Sequence, residues 1–174
     1  MKKNQDLYTS FIDELEDMLS CENQIIEVLP DMINMASSKD LKESLTSHLE
    51  ETENQVVRIE NIFSILDLKA KEKKCKGMEG ILKEGKEMLK GKEKDSTLDA
   101  LIISAAQKVE HYEIASYGTL RSFANHLDFD SDIIDFIQDS LDEEEAADKK
   151  LTKIANGKWF SEGINAKAAE SLNY

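Results

Sequence analysis

Seven side chains of this sequence, Glu22, His48, Glu51, Glu110, Glu113, Glu144 and Asp148, have the types and spacing to hold metal ions. The clearest case is the stretch QKVEHYEIASYG, Gln107 to Gly118. On a helix turning ~100° per residue, Glu110 and Glu113 share a side with Ile103, Ala106, Ile114 and Tyr117, a face that normally buries only apolar atoms. Glu22 falls in the same way within ~60° of Leu15, Met18, Leu19, Ile25, Ile26 and Leu29. Glu144 is flanked by Ile137, Leu141 and Leu151, with Asp148 one turn further along that face, while Asp142 and Glu143 point elsewhere. Glu51 sits at the edge of its stripe, with His48 and Gln55 nearer the centre and Glu50 and Glu53 facing away.

Carboxylates buried together cannot all ionise without compensation, so either protons or cations must resolve them. Glu22, Glu51, Glu110 and Glu144 each lie near the midpoint of their own helical pattern, and antiparallel packing would bring them to one level. Two divalent metals bridged by carboxylates would compensate them, the arrangement of di-iron and di-manganese bundle cores. Oxygen donors with one or two imidazoles suit iron or manganese better than a thiolate-rich site would. Glu51 with Gln55, and Glu144 with Asp148, share a four-residue offset, as if two hairpins were rough copies of one another. Taken alone, an acidic run such as DEEEAAD is a solvated face, and His111 and His126 read as structural. Tyr112 and Tyr117 either pack or hydrogen-bond to a carboxylate.

The elements that must position these residues are helices. Apolar residues recur at three-and-four spacing from Asn4 to about Ala36, with Pro30 expected to kink the last turns. After the break Ser37-Ser38-Lys39-Asp40, a second long pattern runs to about Leu68, so these two helices form an antiparallel hairpin. A lysine-rich crossover follows, with a short helix at about residues 76–90. Ser96 can cap a third long helix to about His126, and a fourth runs from near Asp132 to Asn156-Gly157. Two hairpins joined by one long crossover give an all-α, ferritin-like four-helix bundle over residues 1–157, leaving a tail, 158–174, without an assigned element.

Length and composition agree with one helical domain: 174 residues, 40% hydrophobic, with one proline and seven glycines. A net charge of −14 disfavours nucleic acid and anionic membrane as partners. No apolar run approaches the ~18 residues of a membrane span, and the start MKKNQDLYTS lacks a signal-peptide core, so a cytoplasmic location is expected. Cys21 and Cys75 form no CxxC motif and read as packing residues kept as thiols.

The pieces CENQIIEVLP, SHLEETENQVVRIENI, AAQKVEHYEIASYGTL and LDEEEAADKKLTKIA resemble the YciE/YciF family of ferritin-like bacterial proteins, over about residues 7 to 156. That resemblance implies a homodimeric bundle with a rubrerythrin-like dinuclear centre and a link to stress responses. Its ligand positions fall on the same seven residues. One departure stands out: the Glu-x-x-His usual in ferritin-like helices two and four is absent, since His48 precedes Glu51 and the fourth helix offers Asp148 without histidine.

Two functions compete at this level. In the first, two iron ions (manganese being the other choice) oxidise Fe²⁺ or reduce oxygen or hydrogen peroxide. In the second, the chain is a non-enzymatic stress or assembly module whose partner-binding face would use Met78, Met88 and Trp159. Storage of a mineral is a third possibility, but it normally needs a hollow shell of many subunits.

Overall fold

A computed structural model describes residues 6–158 and 161–170. Its four long helices are α1 (Leu7–Met35), α2 (Lys39–Ile65), α4 (Ser96–His126) and α5 (Ser131–Asn156), with the shorter α3 (Lys76–Leu89) in the crossover. The expected start of the first helix at Asn4 lies outside the described residues. Helix α1 continues through Pro30 to Met35.

Local chemistry sets the ends. Asp6 caps α1 by accepting from the Thr9 N–H at 2.8 Å, and Ser38 caps α2 through the Leu41 N–H at 3.5 Å. Asp95, rather than the expected Ser96, caps α4, accepting from the Leu98 N–H at 2.8 Å. A carboxylate is the stronger acceptor for the free N–H groups of a helix start. Beyond α2 and α4 the chain turns through Asp67 and Asp128, whose φ angles are 53° and 51°, a left-handed conformation that aspartate tolerates. Gly157 ends α5 at φ 80°.

Helices α1 and α2 form one hairpin, and α4 and α5 the other. The hairpins close into a bundle through α1 against α4 and α2 against α5, while α3 lies over α1 and α4. The core runs the length of the bundle, with Phe11, Leu15, Leu41, Phe63, Ile102 and Leu120 all at 1% exposure or less. The tail contributes a short antiparallel pairing of Gly157–Lys158 with Ser161–Glu162 and then α6 (Ile164–Glu170), packed on α4 and α5. Trp159 lies outside the described residues, and among these no helix is long and apolar enough to cross a membrane.

One buried acid belongs to the architecture. Asp99, 2% exposed, accepts from the Ser37 N–H (2.7 Å), the Ser37 hydroxyl (2.5 Å) and the Ser38 N–H (2.9 Å). It thereby clasps the α1–α2 turn onto α4.

Candidate metal centre

At mid-height the bundle buries five of the seven expected side chains: Glu22 from α1, His48 from α2, Glu110 and Glu113 from α4, and Glu144 from α5. None is more than 4% exposed. His48, Glu110, Glu113 and Glu144 each present a ligand atom such that all four atoms lie within 4.8 Å of one another. The His48 Nε2 faces Glu110 Oε1 at 3.5 Å. Glu22 adjoins Glu113 and accepts a short hydrogen bond from the Tyr117 hydroxyl, which answers for Tyr117 the choice left by the sequence.

The other two expected residues sit outside this cluster. Glu51 is half-buried, accepts from Ser47 Oγ at 3.1 Å and stands 3.9 Å from His48 Nδ1, on the ring's far side from Glu110. Asp148 accepts from Gln107 Nε2 at 2.9 Å and lies 3.5 Å from the exposed His111. His126 bonds its own helix through the Ser122 carbonyl at 2.7 Å.

Burial and mutual repulsion set the protonation of the cluster. Burial first, then the field of Glu144, pushes the Glu22 carboxyl from 4.5 up to about 8, against the Tyr117 hydrogen bond. Glu110 and Glu113 are raised well above the usual carboxylate range, again chiefly by burial and next by Glu144. For His48, burial opposes the imidazolium, but the facing Glu51 and the fields of Glu144 and Glu22 outweigh it and its pKa is raised.

The fit to metal is tested by atoms left without partners. Among the buried ones are Glu22 Oε2, both ring nitrogens of His48, Glu110 Oε2, both oxygens of Glu113 and Glu144 Oε2. Native interiors satisfy most such groups, so a cluster of them converging from four helices is a set of groups that could hold a metal ion. Four carboxylates with one imidazole match the preferences of hard or borderline divalent ions.

A supporting network was only partly legible in the sequence. Gln55, fully buried, donates to Glu144 Oε1 at 2.5 Å and to Glu143 Oε2 at 3.0 Å. Arg58 grips Glu143 with two bonds of 2.6 Å. Gln55 was visible at the centre of its stripe, but the Arg58–Glu143 pair joins α2 to α5 and leaves no local signal. A groove of about 810 Å³ between α1, α3 and α4 shares Val28, Met32, Leu82 and Val109 with a small void that reaches His48 and Glu110. Of the residues expected to meet a partner, Met78, on the inward face of α3, is fully buried and cannot do so, and Met88 is half-buried.

Comparison with known proteins supports the same architecture. The profile of a family described as a domain of unknown function (DUF892) matches residues 6–169. Protein YciF of Escherichia coli K12 is 42% identical over 146 residues, covering 83% of this chain and 87% of YciF. The crystal structure of YciF, described as an E. coli stress protein, superposes with a TM-score of 0.81 at 40% identity, covering 88% of this chain and 94% of that one. A solved structure of YcfI from Rhodopseudomonas palustris, provisionally described as a structural protein, gives a TM-score of 0.85 at 39% identity over 89% of this chain and 99% of that one.

Proposed function

We propose that this chain, which belongs to the DUF892 family, holds two iron ions between Glu22, His48, Glu110, Glu113 and Glu144 and serves as a ferritin-like, rubrerythrin-like oxidoreductase in a bacterial stress response. The observation that carries this reading is the set of four buried glutamates with unpartnered oxygens at one level of the bundle. Ionised, they carry a formal charge of −4, which two divalent cations neutralise. Two such ions held there would supply redox chemistry toward oxygen or hydrogen peroxide, with Fe²⁺ as the alternative substrate.

The chain's own residues prepare that site. Glu110 and Glu113, held protonated by burial when no cation is present, release their protons as a cation takes their place. Tyr117 fixes Glu22, and Gln55 fixes Glu144 directly while itself held by Glu143 of the Arg58–Glu143 pair. Glu51 faces the Nδ1 side of His48 at 3.9 Å, and Nε2 is turned toward the carboxylates. The groove beside α3, which shares four lining residues with the small void at Glu110 and His48, is the side from which small uncharged substrates would approach. The link to stress follows the description of YciF. A homodimer in the cytoplasm is the setting this reading adopts.

The test is metal analysis of protein purified without chelator, followed by anaerobic Fe²⁺ addition and exposure to hydrogen peroxide. Two metals per chain and rapid appearance of near-ultraviolet absorption are expected. No uptake of iron or manganese would overturn the reading and leave the non-enzymatic module in its place.

A further inference from the structure

We propose that Cys21 and Cys75 form a second redox site, a dithiol that hydrogen peroxide converts into an intramolecular disulfide. These are the two cysteines of the sequence. They come together across the crossover, Cys21 on α1 and Cys75 at the N-cap of α3, both with 0% exposure, and Ser20, the residue before Cys21, bonds the Cys75 N–H.

The surroundings are built around Cys75. Its N–H donates to Ser20 Oγ at 3.2 Å, and its carbonyl accepts from Gln24 Nε2 at 3.1 Å, so α1 grips the backbone on both sides of the thiol. The sulfur meets the Met78 N–H at 3.4 Å and the Tyr112 hydroxyl at 3.2 Å. Tyr112 reaches it only because residue 77 is glycine: a Cβ there would stand 2.7 Å from the tyrosine ring. The neighbouring Cys21 thiol, helped by Tyr112 and the Met78 N–H, brings the Cys75 thiol down to about 7 against the effect of burial. Near neutral pH a substantial fraction is then thiolate, the nucleophilic form. The covering layer is thin, since Lys69 and the run Lys71–Lys74 are exposed and the segment from Leu68 to Cys75 has no helix, the kind of segment that opens locally at low cost.

The reaction balances without a metal. The Cys75 thiolate attacks one oxygen of hydrogen peroxide, an S–O bond forms as the O–O bond breaks, and hydroxide leaves. The Cys21 sulfur then attacks the Cys75 sulfenic acid. An S–S bond forms, the S–O bond breaks, and the second oxygen leaves as water with the proton of Cys21. In sum, two thiols and one peroxide give one disulfide and two waters. The product staples the crossover to α1 one residue from Glu22.

The experiment uses full-length, reduced, metal-free protein exposed to hydrogen peroxide, alkylated and mapped without reductant. The expected result is loss of both free thiols, a Cys21–Cys75 linked peptide within one chain, and full recovery on adding dithiothreitol. In Cys21→Ala, the sulfenic acid on Cys75 should instead be trapped by dimedone. Thiols that stay free, that link between chains, or that oxidise separately in the wild type would overturn the proposal. Because no metal is present, the result stands apart from the outcome for the glutamates.

Discussion

Two regions of the molecule bury carboxylates, and they treat them in opposite ways. Asp99, at the end of the bundle, receives three hydrogen bonds, two of them from backbone N–H groups. Glu110, Glu113, Glu144 and Glu22, at its middle, keep oxygens with no partner. Burial is therefore not what separates a structural acid from a candidate ligand. A satisfied carboxylate fixes a turn, whereas an unsatisfied group of carboxylates costs folding free energy that only protons or cations relieve.

Substitutions can break this comparison, and the largest effect is expected at the cluster. Glu113→Ala should lower metal affinity at least about tenfold, more than loss of a supporting residue would. The helical circular dichroism and the metal-free melting temperature should be unchanged or improved. Unchanged metal stoichiometry in this variant would remove Glu113 from the site.

Asp99→Asn should do the reverse. Losing a charged acceptor for buried N–H groups should cost about 1–3 kcal/mol, or a few degrees of melting temperature at this size, with metal content unaltered. A variant that lost metal while keeping its melting temperature would erase the distinction between the regions.

Tyr117→Phe sharpens the picture within the cluster, because it removes the donor to Glu22 and leaves the ring in place. Metal affinity should fall about tenfold, measured by competition with a chromophoric chelator.

The pH dependence of the metal-free protein gives a subtler contrast. Glu22 is raised from 4.5 to about 8, so the folded state keeps a proton that the unfolded chain has already released across that window. Its contribution is complete below about pH 4.5 and is lost as pH rises toward about 8, and the raised His48 acts in the same direction. Melting temperature should therefore fall between about pH 5 and 8 without metal. Metal binding should flatten the slope, since the cation replaces the protons. The smallest effect is expected for Arg58→Met, which loosens Glu143 and through it Gln55. It should change metal affinity less than about tenfold.

The sequence by itself determined a good deal here. Three-and-four spacing fixed the four long helices and the short crossover helix, because an apolar stripe has to be buried whatever its neighbours are. The same periodicity identified Glu22, Glu110, Glu113 and Glu144 as acids on apolar faces. Which residues meet was decided only by tertiary structure. His48 and Glu51 lie on neighbouring azimuths of one helix, and only the placement of α4 and α5 turns the imidazole inward and leaves the carboxylate at the rim. Asp148 is carried outward in the same way, toward Gln107 and His111. The Arg58–Glu143 clamp, the Asp99 clasp and the Cys21–Cys75 pair each join residues more than fifty positions apart. A one-dimensional pattern reports the face a side chain occupies, but distances between faces depend on how helices pack, and that is settled by the whole core at once.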